Sequence, residues 1–180
     1  MAEPRSSKLE ANIVSLTTAI GAAMAKWQEV EGNIFLLFVA LAQGGPLPNS
    51  CTVIYETIMH LEHKLAAVDA LAQYRLASKD AKLLEQWTKL NKRIKRKSRI
   101  RNKVAHWRVW YDTKSDPDRP FLAPHLYRQL ADAKDFSKSS GGALGATDIL
   151  AHAAAFGALA DEIRQFLETY APITSQGKST

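Results

Sequence analysis

The longest regular pattern in this sequence is a run of apolar residues at steps of three and four along residues 9–43. The apolar positions are Leu9, Ile13, Leu16, Ile20, Met24, Trp27, Val30, Ile34, Leu37 and Leu41. This spacing is typical of an amphipathic helix, because 3.6 residues per turn bring every third or fourth side chain to the same face. The sequence contains no strand-like alternation of convincing length. We therefore expect an all-α fold.

Further segments carry the same periodicity and complete the predicted bundle. They predict helices over residues 52–76, 79–111 and 147–170, with a shorter helix over residues 125–133. The expected helix caps are Ser50, Ser78 with Asp80, and Thr147, and Pro172 is expected to end the last helix. The expected fold class is a single all-α helical bundle of four main helices plus a shorter fifth.

The size and composition of the chain fit one domain. Its 180 residues predict a helical domain over residues 8–171, a flexible N-terminus over residues 1–7 and a flexible tail over residues 172–180. The lone Cys51 excludes a disulfide within the chain and suits a reducing compartment. The sequence shows no signal-peptide pattern, and no apolar run approaches the ~20 residues that a membrane helix needs. We expect a soluble cytoplasmic protein that does not contact a membrane.

Positive charge is concentrated in the third predicted helix. The formal net charge of the chain is +6, and residues 89–103 contain basic residues and no acid. These basic residues are Lys89, Lys92, Arg93, Lys95, Arg96, Lys97, Arg99, Arg101 and Lys103. Such a block creates a positive potential that attracts phosphates, although a solvated helix face has the same composition. The charge pattern therefore indicates a polyanionic partner without identifying it.

The apolar face of this helix changes direction along its length. The early apolar residues are Leu83, Trp87, Leu90 and Ile94, and the late ones are Ile100, Val104, Trp107 and Tyr111. At 3.6 residues per turn, the two sets lie about 100° apart around the helix axis. We therefore expect the helix to bend, or to change its packing partner, near residues 96–99.

Three polar residues with chemical potential follow that position. Asn102 and His106 are four residues apart and share one side of the helix, whereas Arg101 lies about 140° from His106 on ideal geometry. A long arginine side chain is able to curve toward the histidine. The alternative is a structural cluster, in which Arg101 pairs with Glu56 or Glu62 and the histidine makes a hydrogen bond in the core.

The stretch RNKVAHW, residues 101–107, resembles the signature of the HEPN superfamily, the higher eukaryotes and prokaryotes nucleotide-binding domains. That signature is an arginine, usually followed by a polar residue, with four to six residues between the arginine and a histidine. Here Arg101 and His106 enclose four residues, and Asn102 is the polar residue most typical of the family. The predicted helical layout also resembles these bundles, although a further long helix follows the motif.

The resemblance implies a dimeric, metal-independent endoribonuclease without a cofactor, of the kind found among toxins and phage-defence effectors. It implies that His106 moves a proton, that Arg101 holds the scissile phosphate, and that Asn102 orients one of these groups. It also implies RNA as substrate, a homodimer, and an antitoxin or other protein partner.

The basic block would then follow the RNA backbone. The RNA-binding residues that we expect are Lys92, Arg93, Lys95, Arg96, Arg99, Lys103 and Trp110. Trp110 would stack on unpaired bases, while Trp107 is more easily explained by packing.

Two other interpretations stay open. A catalytically inactive HEPN-like bundle would bind nucleic acid or a partner protein without cleavage, and a purely structural module would keep the motif as a polar cluster.

Glu56, His60 and His63 share one helical face, but a metal site there would need ligands from another helix, so polar contacts are the better interpretation.

Overall fold

The computed structural model describes residues 7–42, 48–112, 116–124 and 143–175. The described chain contains α1 (Ser7–Ala42), α2 (Pro48–Thr57), α3 (Leu61–Leu76), α4 (Ala81–His106), β1 (Arg108–Asp112), β2 (Asp116–Ala123) and α5 (Ala146–Ser175). Helices dominate, and the all-α helical bundle that the sequence predicts is confirmed. The short helix predicted over residues 125–133 lies outside the described residues.

The chain divides into two compact units, and α1, α4 and α5 each contribute to both. One unit comprises Met1–Trp27 and Ser98–Phe156, and the other comprises Gln28–Lys97 and Gly157–Thr180. The division within α4 falls between Lys97 and Ser98, where the sequence predicts a bend or a change of packing partner. Because the two halves of α4 belong to different units, this division supports a change of partner.

The unit that contains the end of α4 has a small apolar core. Its buried residues include Leu16, Ala19, Ala23 and Trp27 from α1, Val104 from α4, Leu122 and Ala123 from β2, and Ile149, Ala153 and Phe156 from α5. The rings of Trp27 and Phe156 meet edge to face, with centroids 5.1 Å apart. This packing joins the first half of α1 to the first half of α5.

A two-stranded antiparallel sheet follows α4. It corrects the expectation that no strand forms and the expectation that the third helix reaches Tyr111. The third helix, predicted to reach Tyr111, ends at His106, and Trp110 lies opposite Phe121 in the sheet. The aromatic and β-branched side chains of residues 107–111 favour a strand when a partner is present. That partner, β2, is joined in turn to Leu144, with N–H to O distances of 2.9 Å in both directions between Leu122 and Leu144.

The second unit packs the remaining parts of α1, α4 and α5 with α2 and α3. Its buried residues include Val30, Ile34, Leu37 and Leu41 from α1, Tyr55 from α2, Leu65, Val68, Ala72 and Leu76 from α3, Leu83, Trp87, Leu90 and Ile94 from α4, and Ile163 and Phe166 from α5. Among the described residues one polar side chain, Asn91, is buried with them, and its Nδ2 donates at 3.1 Å to Oδ1 of the partly buried Asp69, which also accepts from Trp87 Nε1 at 2.8 Å. This carboxylate fixes α4 to α3.

The single helix predicted over residues 52–76 is wrong. The structure has two helices, α2 and α3, separated at residues 58–60. The ring of Tyr55 packs against Phe35 and Phe38 at centroid distances of 5.2 and 5.1 Å, which holds α2 against α1. His60 then precedes α3 in an extended conformation, with φ −106° and ψ 136°. Tertiary packing of one aromatic side chain therefore overrides the continuous helical periodicity.

The predicted helix caps are only partly correct. Ser50 lies inside α2, which begins at Pro48. Asp80 alone caps α4, because its Oδ1 accepts a hydrogen bond from the Leu83 N–H at 2.8 Å. At the start of α5 the carboxylate of Asp148 accepts from the Gly145 N–H at 3.0 Å, and Thr147 lies inside the helix.

The end of α5 also differs from the prediction. The helix continues to Ser175, beyond Pro172 and beyond residue 171, where the predicted helical domain ends. A proline removes one backbone donor, and the helix continues for only three residues after it. Among the described helices, none has both the length and the apolar character that crossing a membrane requires.

Candidate functional site

The exposed side of α4 carries a line of positive charge. We call it the basic stripe and define it as Lys92, Lys95, Arg96, Arg99 and Lys103. At 3.6 residues per turn these five positions lie within an arc of about 100°. All are exposed except Lys103, which is partly buried. From Lys92 to Lys103 this face of the helix carries only positive side chains, which offer a continuous attraction to a polyanion.

His106 lies at the C-terminal end of this stripe. It is the last residue of α4, its side chain is exposed, and its angular position falls inside the arc of the stripe. About 21 Å of helix separates it from Lys92, at 1.5 Å per residue. Within the described parts of the chain the imidazole makes no side-chain hydrogen bond or ion pair. Both ring nitrogens are therefore accessible to an external ligand.

Arg101 lies on another side of the helix and is partly buried. Its Nη1 donates a hydrogen bond to Asn102 Oδ1 at 3.3 Å, and Asn102 is exposed. This contact turns the guanidinium toward the side of α4 that carries His106, because Asn102 precedes the histidine by four residues. The structure thus brings Arg101 and Asn102 together, while among the described residues the imidazole is hydrogen-bonded to neither of them.

Arg93, which the sequence places among the RNA-binding residues, forms an ion pair with an acidic residue. Its guanidinium makes two parallel hydrogen bonds to the carboxylate of Glu162 on α5, with Nη2 to Oε1 at 2.8 Å and Nη1 to Oε2 as the second. Lys89 similarly pairs with Glu85 at 2.7 Å. The Lys89 contact holds the pKa of the Glu85 carboxyl below its usual range. These two cations are therefore partly neutralised by acids that the structure places beside them.

The aromatic residues beyond the motif differ in their surroundings. Lys103 Nζ lies 5.0 Å from the ring centroid of Trp107. The backbone N–H of Trp107 donates to the backbone carbonyl oxygen of Lys103 at 2.9 Å. Trp110 lies in β1, where its partner in register is Phe121 and its indole nitrogen is buried. Both indoles are partly buried.

The described residues offer no obvious place for a metal ion. No three of their histidine, cysteine and acidic side chains come together as ligands. The rings of His60 and His63 lie 5.6 Å apart at an interplanar angle of 81°, and both residues are exposed, as is Glu56. These residues form an exposed polar surface on the second unit.

Sequence reasoning did not find two acids that matter for the site and its support, Glu162 and Asp69. Glu162 pairs with Arg93, which is 69 positions away in the sequence. Asp69 accepts hydrogen bonds from Trp87 and Asn91, which are 18 and 22 positions away. Neither has a local sequence signal, since the pairing depends on which helices pack together. No protein-family model, no curated protein and no solved structure matches this chain.

Proposed function

We propose that this chain is a HEPN-like, metal-independent endoribonuclease that acts as a cytoplasmic homodimer, in the manner of a toxin or phage-defence effector under the control of an antitoxin or other protein. The observation that carries the proposal is the position of His106. An exposed imidazole stands at the end of the basic stripe, one helical turn after Asn102, which holds the Arg101 guanidinium. A proton-transfer group and a phosphate-binding group therefore adjoin a surface that attracts a polyanion.

The chemistry that fits this set is transesterification within RNA. The 2′-oxygen attacks the adjacent phosphorus, the bond from phosphorus to the 5′-oxygen breaks, and the products are a 2′,3′-cyclic phosphate and a 5′-hydroxyl. One proton leaves the 2′-hydroxyl and one is delivered to the departing 5′-oxygen. His106 performs one of these transfers, because an imidazole ring nitrogen can accept a proton or donate one. Arg101 stabilises the charge that develops on the phosphate oxygens.

A second copy of the chain supplies what one copy lacks. A single motif contributes one imidazole, whereas the reaction needs a base on the attacking side and an acid on the leaving side. Two copies whose His106 side chains face a common phosphate provide both. The basic stripe of each copy then binds the RNA backbone on either side of that phosphate, without choosing a sequence.

The decisive experiment compares two histidine variants on single-stranded RNA in the presence of EDTA. We expect the wild-type protein to cleave and to leave 2′,3′-cyclic phosphate ends, and His106→Ala to abolish cleavage with an unchanged helical circular-dichroism spectrum. His63→Ala is the matched control, because His63 is also an exposed histidine but lies on α3. Cleavage by His106→Ala at the wild-type rate would remove the mechanism.

The second candidate function is a non-catalytic HEPN-like bundle that binds nucleic acid or a partner protein. It is favoured by one observation: in the described part of the chain, the His106 side chain makes no hydrogen bond to Arg101 or Asn102. This function predicts RNA binding that weakens with salt, together with no cleavage by the wild-type protein under any buffer condition.

A further inference from the structure

Trp107 directly follows His106, and its position is fixed by two contacts to the last turn of α4. Its backbone N–H donates to the Lys103 carbonyl oxygen at 2.9 Å, so the backbone continues the helical hydrogen bonding for one more residue. Lys103 Nζ lies 5.0 Å from the centroid of the indole ring, within the range of a cation–π contact. The indole therefore lies beside the last cation of the basic stripe, and it directly follows the imidazole in the sequence.

The other three tryptophans have different surroundings. Trp27 and Trp87 are 0% exposed and form part of the core of their units. Trp110 lies opposite Phe121 in the sheet, with its indole nitrogen buried. Trp107 is partly exposed and is in contact with a residue of the stripe. Of the four, it is the indole that combines accessible surface with a position beside the proposed reaction centre.

We infer that Trp107 is a stacking platform for an unpaired nucleobase beside the phosphate that His106 acts on, which makes single-stranded RNA the substrate class. This inference rests on the proposed function. A base stacks on an aromatic face in a sequence-tolerant way, because every base has a π-face. The Lys103 ammonium lies over the indole and close to where the phosphate attached to that nucleotide would pass. A base within a duplex already has both faces covered by its neighbours and cannot use the platform.

The first test measures binding without cleavage, in a His106→Ala background, with a ten-nucleotide polyuridine and a blunt RNA duplex of the same length. Trp107→Ala should weaken binding of the single strand by about 5-fold or more, since loss of one stacked base is expected to change affinity by about 5- to 150-fold. Binding of the duplex should stay within about twofold. Trp107→Phe should keep most of the single-strand affinity, because phenylalanine also stacks, and Tyr74→Ala serves as the control, because Tyr74 is an exposed aromatic residue on α3.

Tryptophan fluorescence provides a second readout of the same event. The single strand should quench the emission of the His106→Ala protein, and this quenching should disappear in Trp107→Phe and persist in Trp110→Phe. Trp27 and Trp87 give a constant background because they are buried. Unchanged single-strand affinity in Trp107→Ala, an equal loss for single strand and duplex, or quenching that persists in Trp107→Phe would each overturn the inference.

A cleavage experiment separates this inference from the proposed function. An RNA with one abasic nucleotide beside the scissile phosphate should lower kcat/KM for the wild-type protein and should lower it no further for Trp107→Ala. If no RNA is cleaved while the single-strand preference and the quenching hold, the ribonuclease proposal fails and the stacking platform stands. If cleavage occurs and is indifferent to both the abasic position and Trp107, the platform fails and the ribonuclease stands.

Discussion

Under the proposed function, Glu162 limits how many cations of α4 contact RNA, and its removal gives a quantitative test of the charge argument. Its carboxylate holds the guanidinium of Arg93 through two hydrogen bonds. Arg93 is three residues before Arg96, so a released Arg93 side chain lies next to the basic stripe. The pair is partly exposed, with 45% and 38% of the two side chains accessible, so Glu162→Gln should cost only about 0–1 kcal/mol of folding free energy.

The expected effect on RNA binding follows from counterion release. Five phosphate contacts with a single strand give a slope of about −3.5 for the logarithm of affinity against the logarithm of salt concentration. A sixth contact, from the released Arg93, makes the slope about −4.2. At about 0.1 M salt the extra contact corresponds to an affinity about fivefold higher. Glu162→Gln should therefore bind RNA more tightly, and the gain should shrink as salt is raised.

Fluorescence anisotropy with a labelled single strand, measured from low to moderate salt, provides both numbers. Asp161→Asn is the matched control, because Asp161 is the adjacent residue of α5 and pairs with Arg164 of the same helix. Both variants change the net charge equally, but only Glu162→Gln frees a guanidinium on α4. An equal gain in the two variants, or a gain that survives when Arg93→Ala is added to Glu162→Gln, would refute the reasoning.

Two further predictions concern the second unit. Asp69→Ala should lower the free energy of unfolding by about 2–5 kcal/mol, measured by urea denaturation, because the buried donors of Trp87 and Asn91 lose their acceptor. Asp69→Asn keeps an oxygen at this position and should lower the free energy of unfolding clearly less. Equal losses in the two variants would argue against this role of the carboxylate. Burial raises the pKa of the Tyr55 and Tyr170 phenols, so their contribution to stability is complete below about pH 10 and falls as the unfolded chain ionises above it. Tyr55→Phe should flatten the loss of unfolding free energy between about pH 9 and pH 11 by up to about 1.4 kcal/mol per pH unit, and an unchanged slope would contradict this assignment.

Local periodicity was sufficient to predict most of the fold. Most buried residues of α1 from Leu16 to Leu41 match the predicted stripe because a helix imposes its own spacing on the sequence. Ala19, Ala23 and Phe38 are buried outside that stripe, and the predicted Ile20 and Met24 are only partly buried. The change of face along α4 was also visible, and it coincides with the division of the chain at residues 97 and 98. The boundary between α4 and β1 was not visible, because Trp107 and Tyr111 continue the helical spacing by chance. What decides it is pairing with β2, which lies farther along the chain.

The candidate site also contains features that the sequence predicts and features that depend on tertiary packing. That Lys92, Arg99 and His106 share one face follows from helix geometry alone, so the sequence was able to predict it. The ion pair between Arg93 and Glu162 was not predictable from the sequence, since the two residues meet only after α4 and α5 pack. The relative surroundings of Trp107 and Trp110 also depend on the sheet, which the sequence did not reveal.

The spacing of the motif explains why the proposed chemistry needs more than one chain. Four residues between Arg101 and His106 place their Cα atoms about 140° apart around α4, so the two side chains start out on different sides of the helix. The contact with Asn102 turns the guanidinium toward the exposed side, but it also holds the guanidinium one turn before the imidazole. A phosphate that follows the basic stripe therefore meets His106 at its end and Arg101 only across Asn102. Under the proposed function, a second copy brings its own Arg101 and His106 to the same phosphate, so that the two groups that one motif holds apart act from opposite sides.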